Sequence, residues 1–199
     1  MMLPRFSALP WRIEFQRWAD GTVHQTVEYM RDHGIAHESV TAFAGCIGLA
    51  NVEFVGESSF TFPAIGGEPA AVCEVIDFDA DNDPVTVDLV AWSWHDPHMF
   101  GTATGNGLAL GRFNVGNPAT YDGGKLLKVH RTPLAWLQSG CGGLCILDRD
   151  ATGEALGKAL GPLLAEDEEH ARDLGDAFLG LPYKPRVAFP ATSRKREAA

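Results

Sequence analysis

An α+β fold, with a mainly antiparallel sheet packed against helices from the N- and C-terminal parts, is what this sequence predicts. Three observations predict it. Two early segments, 22–33 and 39–48, repeat apolar residues at helical intervals. The middle holds two stretches rich in branched and aromatic residues, 70–78 and 85–94, separated by a polar turn, which is the pattern of a β-hairpin. Helix punctuation then returns from Thr132 onward. At 199 residues and 45% hydrophobic composition, the chain can bury one sizeable core. Residues 1–183 are therefore read as a single domain and 184–199 as a basic, mobile tail.

The elements follow in order. Residues 11–18 are apolar at irregular spacing and fit a short helix or an edge strand. Thr22 and Gln25 have the spacing of a capping box, and Val23, Val27 and Met30 share one helical face, ended by His33-Gly34. A second helix is expected from Ser39 through Val40, Phe43, Ala44 and Ile47 to about Gly48. Each has one apolar face that should pack on the sheet or on its neighbour. Strands at 51–55 and 59–62 and a turn-rich link precede the hairpin. Glycines at 101, 105, 107, 111 and 116 then mark irregular backbone, and a tight turn at 121–125 feeds 126–129 into the sheet.

Thr132 stands at an N-cap position with Pro133 as the first helical residue, where its missing N–H is harmless. Leu134, Trp136 and Leu137 follow, and Gly140 is the expected left-handed stop. The apolar run 144–147 between glycines and Asp148 suits a strand buried on both faces. A helix beginning near Asp150 or Thr152 would carry Gly153, Gly157 and Gly161 along one bare side until Pro162 breaks it. The last helix, 166–179, opens with four acids at its dipole-favoured end and lines up Ala171, Leu174 and Phe178.

The formal net charge of −10 argues against a general nucleic-acid binder and against an anionic membrane surface, because attraction to phosphate needs a positive face. Residues 184–199 carry +4, from Lys184, Arg186, Arg194, Lys195 and Arg196 against Glu197, so the rest stands at −14. Such a body repels nucleic acid and attracts basic protein surfaces. Cys46, Cys73, Cys141 and Cys145 fit neither a dense disulfide scaffold nor a zinc ribbon, so reduced thiols are expected. The first fifteen residues, interrupted by Pro4, Arg5 and Pro10, lack the continuous apolar core of a signal peptide. With no apolar run of membrane-spanning length, a cytoplasmic protein is expected.

Several motifs bear on chemistry. Asp148-Arg149-Asp150-Ala151-Thr152 after an apolar run resembles the first motif of haloacid-dehalogenase-type phosphatases. That resemblance would make Asp148 the nucleophile and Asp150 the acid/base, beside magnesium. The family's further motifs lie downstream, where only 47 residues remain, so a strand end followed by a helix cap is the simpler reading. Asp77, Asp79, Asp81, Asp83 and Asp88 have the alternate spacing of a calcium loop, with Asn82 where glycine is usual. A solvated hairpin turn explains them more simply. His95, His98, Cys141 and Cys145 are the right ligand types for zinc, at spacing that is only permissive. No cofactor is predicted; zinc and calcium stay as the alternatives to test. Lys128, His130, Arg131 and Thr132, with Lys125 upstream, precede a helix start, where amides and dipole favour an anion. Ion pairing with the chain's many carboxylates competes with that role.

The segment NPATYDGGKLLKVHRTPLAWLQSGCGGLCILD, with VTVDLVAW before it, resembles short uncharacterised proteins encoded in phages, prophages and mobile elements of alphaproteobacteria. The likeness covers roughly 70–150 and rests on positions such as Pro133, Trp136, Gly140 and Gly143. It implies a context, that of a mobile-element accessory protein, and no activity. The function expected is that of a non-catalytic accessory or interaction protein whose acidic body binds a protein partner, with nucleic-acid mimicry as one form of this. The alternative is a metal- or phosphate-binding enzyme using the Arg131/Asp148 region.

Overall fold

The computed structural model describes residues 10–38, 47–79, 81, 83–179 and 185–190. Two helices open the described chain, α1 at Pro10–Gly21 and α2 at Val23–Asp32. Five strands follow: β1 Ile47–Val55, β2 Ser59–Thr61, β3 Glu68–Phe78, β4 Pro84–Ser93 and β5 Phe100–Thr102. They close into a barrel in the order β1-β2-β5-β4-β3. Only the β2–β5 contact is parallel; the others are antiparallel. The expected hairpin is β3–β4, with a register shift between Val75 and Ile76. Closure leaves no room for a side chain at residue 101, because a Cβ on Gly101 would stand 2.7 Å from the Ser59 nitrogen.

The remaining elements build a second sheet: β6 Ala109–Leu110, β7 Leu127–His130, α3 Pro133–Gln138, β8 Leu144–Ile146, α4 Thr152–Leu156, β9 Leu163–Leu164, α5 Glu168–Ala177 and β10 Val187–Ala188. Its order is β10-β9-β7-β8-β6. The four strands from β7 to β10 run parallel, and β6 joins as an antiparallel edge. The fold is thus α+β as expected, with an alternating strand–helix half that short apolar runs did not reveal. Parallel strands need crossover connections, and each helix here supplies one.

Three apolar clusters hold these parts. Along β3 and β4 alternate residues diverge, as the two-residue period of a strand requires. Val72, Leu89 and Ala91 join Phe15 of α1, Val52 and Phe60. Cys73, Val75, Val90 and Trp92 instead join Tyr29 and Met30 of α2, Trp136 and Leu137 of α3, and Cys145 of β8. A third cluster lies on the other side of the parallel sheet, where Leu127, Val129, Leu144 and Leu163 meet Leu156, Leu174 and Phe178.

Several expectations need correcting. Residues 11–18 are helical. Thr22 makes no side-chain cap for α2; its hydroxyl donates to the Trp18 carbonyl (2.9 Å) and accepts the Leu49 N–H (3.3 Å), fastening the helix pair to β1. Val23 and Val27 do not pack inward, because Thr26, Tyr29 and Met30 form the buried face. Of the helix expected at 39–48, residues 39–46 lie outside the described residues, and Ile47 and Gly48 belong to β1. The helix after Asp150 stops at Leu156, so Pro162 breaks nothing, and the bare side of Gly161 is covered by the Tyr121 ring. Val187 and Ala188, inside the stretch expected as a tail, pair with β9, whereas Lys184 and 191–199 lie outside the described residues.

Candidate functional site

The carboxyl ends of β7 and β8 open into a crevice. Its walls are Val129, His130 and Arg131 from β7, Ile146 and Arg149 from β8, Thr152 of α4, His170, Asp173, Leu174 and Ala177 of α5, and His98 and Phe100 from the barrel. Its volume is about 160 Å³. The connection leaving β7 leads to β8 on one side and the connection leaving β9 leads to β10 on the other, so the switch point of the parallel sheet lies between β7 and β9, and no β9 residue lines the crevice.

Arg131 is held by three carboxylates, with Asp167 Oδ1 at 2.8 Å, Glu169 Oε2 at 3.5 Å and Asp173 Oδ2 at 3.5 Å. Burial opposes its charge, but the three acids raise its pKa further, so the guanidinium persists. Asp167 also caps α5 by accepting the His170 N–H at 2.8 Å. That bond, and then Arg131, hold its carboxyl below the usual range.

His130 is buried. Its Nε2 donates to the Gly142 carbonyl at 3.0 Å, and Nδ1 lies 3.4 Å from Glu166 Oε1. Burial, then Lys128, depress its pKa below 6.5, outweighing the opposite pull of Gly142 and Glu166. His170 is only 6% exposed. Its Nδ1 accepts the Glu166 N–H at 3.3 Å, so in the neutral ring Nε2 carries the proton. Burial and then Arg131 keep that ring neutral to lower pH than usual.

Of the anion candidates only His130 and Arg131 line the crevice, and both are already engaged. Thr132 Oγ1 caps α3 by accepting the Ala135 N–H at 3.1 Å, His130 and Arg131 are bound as above, and Lys128 is exposed on β7. Asp148 lies at the end of β8 and folds its own turn, its Oδ1 accepting from the Asp150 N–H (2.9 Å) and the Ala151 N–H (3.4 Å). Asp150 is exposed on that turn. The strand end of the simpler reading is there but its helix cap is not, because α4 starts after Ala151 with no side-chain cap.

The zinc candidates do not converge. His95 and His98 lie on the β4–β5 turn, whereas Cys141 and Cys145 are buried beside β8. Burial pushes the Cys141 thiol up to about 12 and raises Cys145 further, which opposes the thiolate form that metals need. The calcium candidates diverge too. Asp77 pairs with Arg112 at 2.9 Å, and Asp79 Oδ1 accepts from the Asp81 and Asp83 N–H groups at 2.9 and 3.0 Å. Asp88, fully buried, accepts from the backbone N–H groups of Leu89, Thr104, Asn106 and Gly107. Among the described residues no group of three or more His, Cys, Asp or Glu is placed to hold a metal ion.

Arg149, His170 and Asp173 were not among the sequence candidates. His170 had one readable sign, since it lies a turn before Leu174 and two before Phe178, on the face that packs. A second concavity lies at the opposite end of the chain. Trp18, Thr22 and Gln25 of the helix pair, Leu49, Ala50 and Asn51 of β1, Pro69 and Ala70 of β3, and Trp94 line a mainly apolar groove of about 270 Å³. Trp94 is propped by Tyr29, their rings stacked at 5.6 Å.

Comparisons with known proteins return no match: no family model, no curated protein and no solved structure matches this chain. Among the described residues, no helix is long and apolar enough to cross a membrane.

Proposed function

We infer that this protein is a non-catalytic accessory protein that works in the cytoplasm by binding another protein, and that the groove between Trp18 and Trp94 receives its partner. One observation carries this reading: apolar side chains of α1, α2 and the end of β4 stay in solvent. Trp18 is 43% exposed, Trp94 41%, Val23 58% and Val27 47%. Single exposed apolar residues are ordinary, but two tryptophans walling one apolar groove form an anchor site of the kind that dominates protein interfaces.

The net charge of −10 supports a basic partner segment carrying an apolar anchor, drawn in by long-range attraction. The likeness to mobile-element proteins supports an accessory role for which a host or element protein is the natural partner. The catalytic alternative at Arg131 and Asp148 has less support, because both side chains already hold a helix start or a turn.

Selection from a random displayed-peptide library tests the reading with a defined probe. Enriched peptides should combine Lys or Arg with a large apolar residue. They should bind more weakly as salt rises and lose at least about tenfold in affinity, roughly 1.4 kcal/mol, to a Trp18→Ser/Trp94→Ser variant. Failure to enrich any sequence, or equal binding to the folded double variant, would overturn it.

A further inference from the structure

We propose that the groove between Trp18 and Trp94 takes a basic, proline-rich segment of the partner in its extended polyproline II form. This rests on the groove being the partner site, and names the chemistry of what enters it. Every residue of a peptide except proline carries a backbone N–H, and burying one against an apolar wall without an acceptor is costly. The lining is poor in acceptors. It holds no carboxylate. The Thr22 hydroxyl already serves the Trp18 carbonyl and the Leu49 N–H, and the Pro69 carbonyl accepts the Trp94 N–H at 3.1 Å.

Donors, by contrast, are free. The indole N–H groups of Trp18 and Trp94 and the side-chain amides of Gln25 and Asn51 make no hydrogen bond among the described residues. A polyproline II segment is the complement of such a lining. It has carbonyls that no internal hydrogen bond occupies, few N–H groups to strand, and apolar rings that pack on aromatic walls. Trp94 is held ready for that packing, stacked at 5.6 Å on Tyr29, whose hydroxyl accepts the buried Trp92 Nε1–H at 2.8 Å. Both sides then meet with little conformational freedom left to lose.

Charge sets the sign of the flanks. Within three residues of the lining, the described chain carries Asp20, Glu28, Glu53, Glu68 and Asp96 against Arg17 alone. Glu68 is engaged by the Ser93 hydroxyl and Glu28 lies 3.5 Å from His24. Asp20, Glu53 and Asp96 are exposed and have no ion-pair partner among the described residues. The groove itself, about 270 Å³ and mainly apolar, admits a few proline rings. Lys or Arg on either side of them stay in solvent, where the neighbouring acids attract them.

The test is a titration of the full chain followed by the indole N–H signals of Trp18 and Trp94 in two-dimensional NMR. One probe is a synthetic peptide of consecutive prolines with an arginine at each end; the other has alanine at every proline. The proline probe should give saturable shifts of both indoles, and the alanine probe should bind about tenfold more weakly or worse. Glu53→Lys, which leaves the apolar walls intact, should weaken the proline probe about two- to fivefold at low salt. Equal affinity for the two probes, or no saturable shift with the proline probe, would overturn the proposal. A free chain that dimerises through this groove, and that Trp18→Ser/Trp94→Ser returns to monomer, would overturn it in favour of a second copy. Displayed peptides that enrich on the groove without proline sink this inference and leave the partner site standing, whereas a library that enriches nothing sinks both.

Discussion

Buried polar groups in this protein organise structure. Asp88 lies next to the register shift between β3 and β4 and gathers four backbone N–H groups, three of them from the loop after β5. Removing it strands donors that cost about 1–3 kcal/mol each when buried, so Asp88→Ala should lose about 3–4 kcal/mol in urea unfolding, with or without calcium. A loss below about 1 kcal/mol, or one that calcium alone reverses, would contradict this role. The two buried histidines act in the other direction. Both are held below 6.5, chiefly by burial. The unfolded chain therefore binds more protons than the folded one in that range, and stability must fall with pH. It should be full above about pH 6.5 and decline as pH falls toward the folded values. Urea midpoints between about pH 7.5 and pH 5 should show that decline, and a folded His170→Gln variant should flatten it. An equal slope in that variant would assign the proton uptake elsewhere.

At the level of elements, legibility followed from how local the cause was. The cap at Thr132, the proline after it and the stop at Gly140, with φ of 77°, were all visible because each is a contact within one turn. The β3–β4 hairpin was visible for the same reason. The parallel strands were not, since two to four residues of apolar sequence carry no record of which strand lies beside them, and their pairing is settled by crossover helices. The α2 face misled because Val23, Val27 and Met30 do share a helical stripe, yet the barrel takes the face of Thr26, Tyr29 and Met30. Gly143 was singled out without its reason being readable. Its φ is 84°, and a Cβ there would lie 2.3 Å from the Lys128 carbonyl of β7. Gly143→Ala must then both adopt a left-handed backbone and push β8 from β7, and should cost about 3 kcal/mol or more. Gly142→Ala meets nothing closer than 3.5 Å and should cost far less, about 1 kcal/mol. Paired melts of the two variants decide this, and equal losses would remove the strand contact as the cause.

At the scale of the whole molecule, the barrel and the parallel sheet are joined through one core. Trp92 of β4, whose Nε1 donates to the buried Tyr29 hydroxyl at 2.8 Å, belongs to the same cluster as Trp136, Leu137, Cys145 and Leu147. Arg112 adds a polar tie, pairing with Asp77 of β3 at 2.9 Å and reaching Glu154 of α4 at 3.7 Å. The crevice has the same anatomy, for His98 and Phe100 bring barrel residues to the second sheet. A shared core predicts cooperative unfolding of the two halves, despite their different strand patterns. Trp136 is fully buried between them, so Trp136→Ala should remove about 3–5 kcal/mol, as large aromatic deletions do. Hydrogen exchange distinguishes a shared core from an adjacent pair. If the halves unfold together, the slowest amides of β3 and β4 lose the same protection as those of β7 and β8 when Trp136 is truncated. Barrel amides that keep their full protection while β7 and β8 lose theirs would show two units in contact, and residues 1–183 would no longer count as one domain.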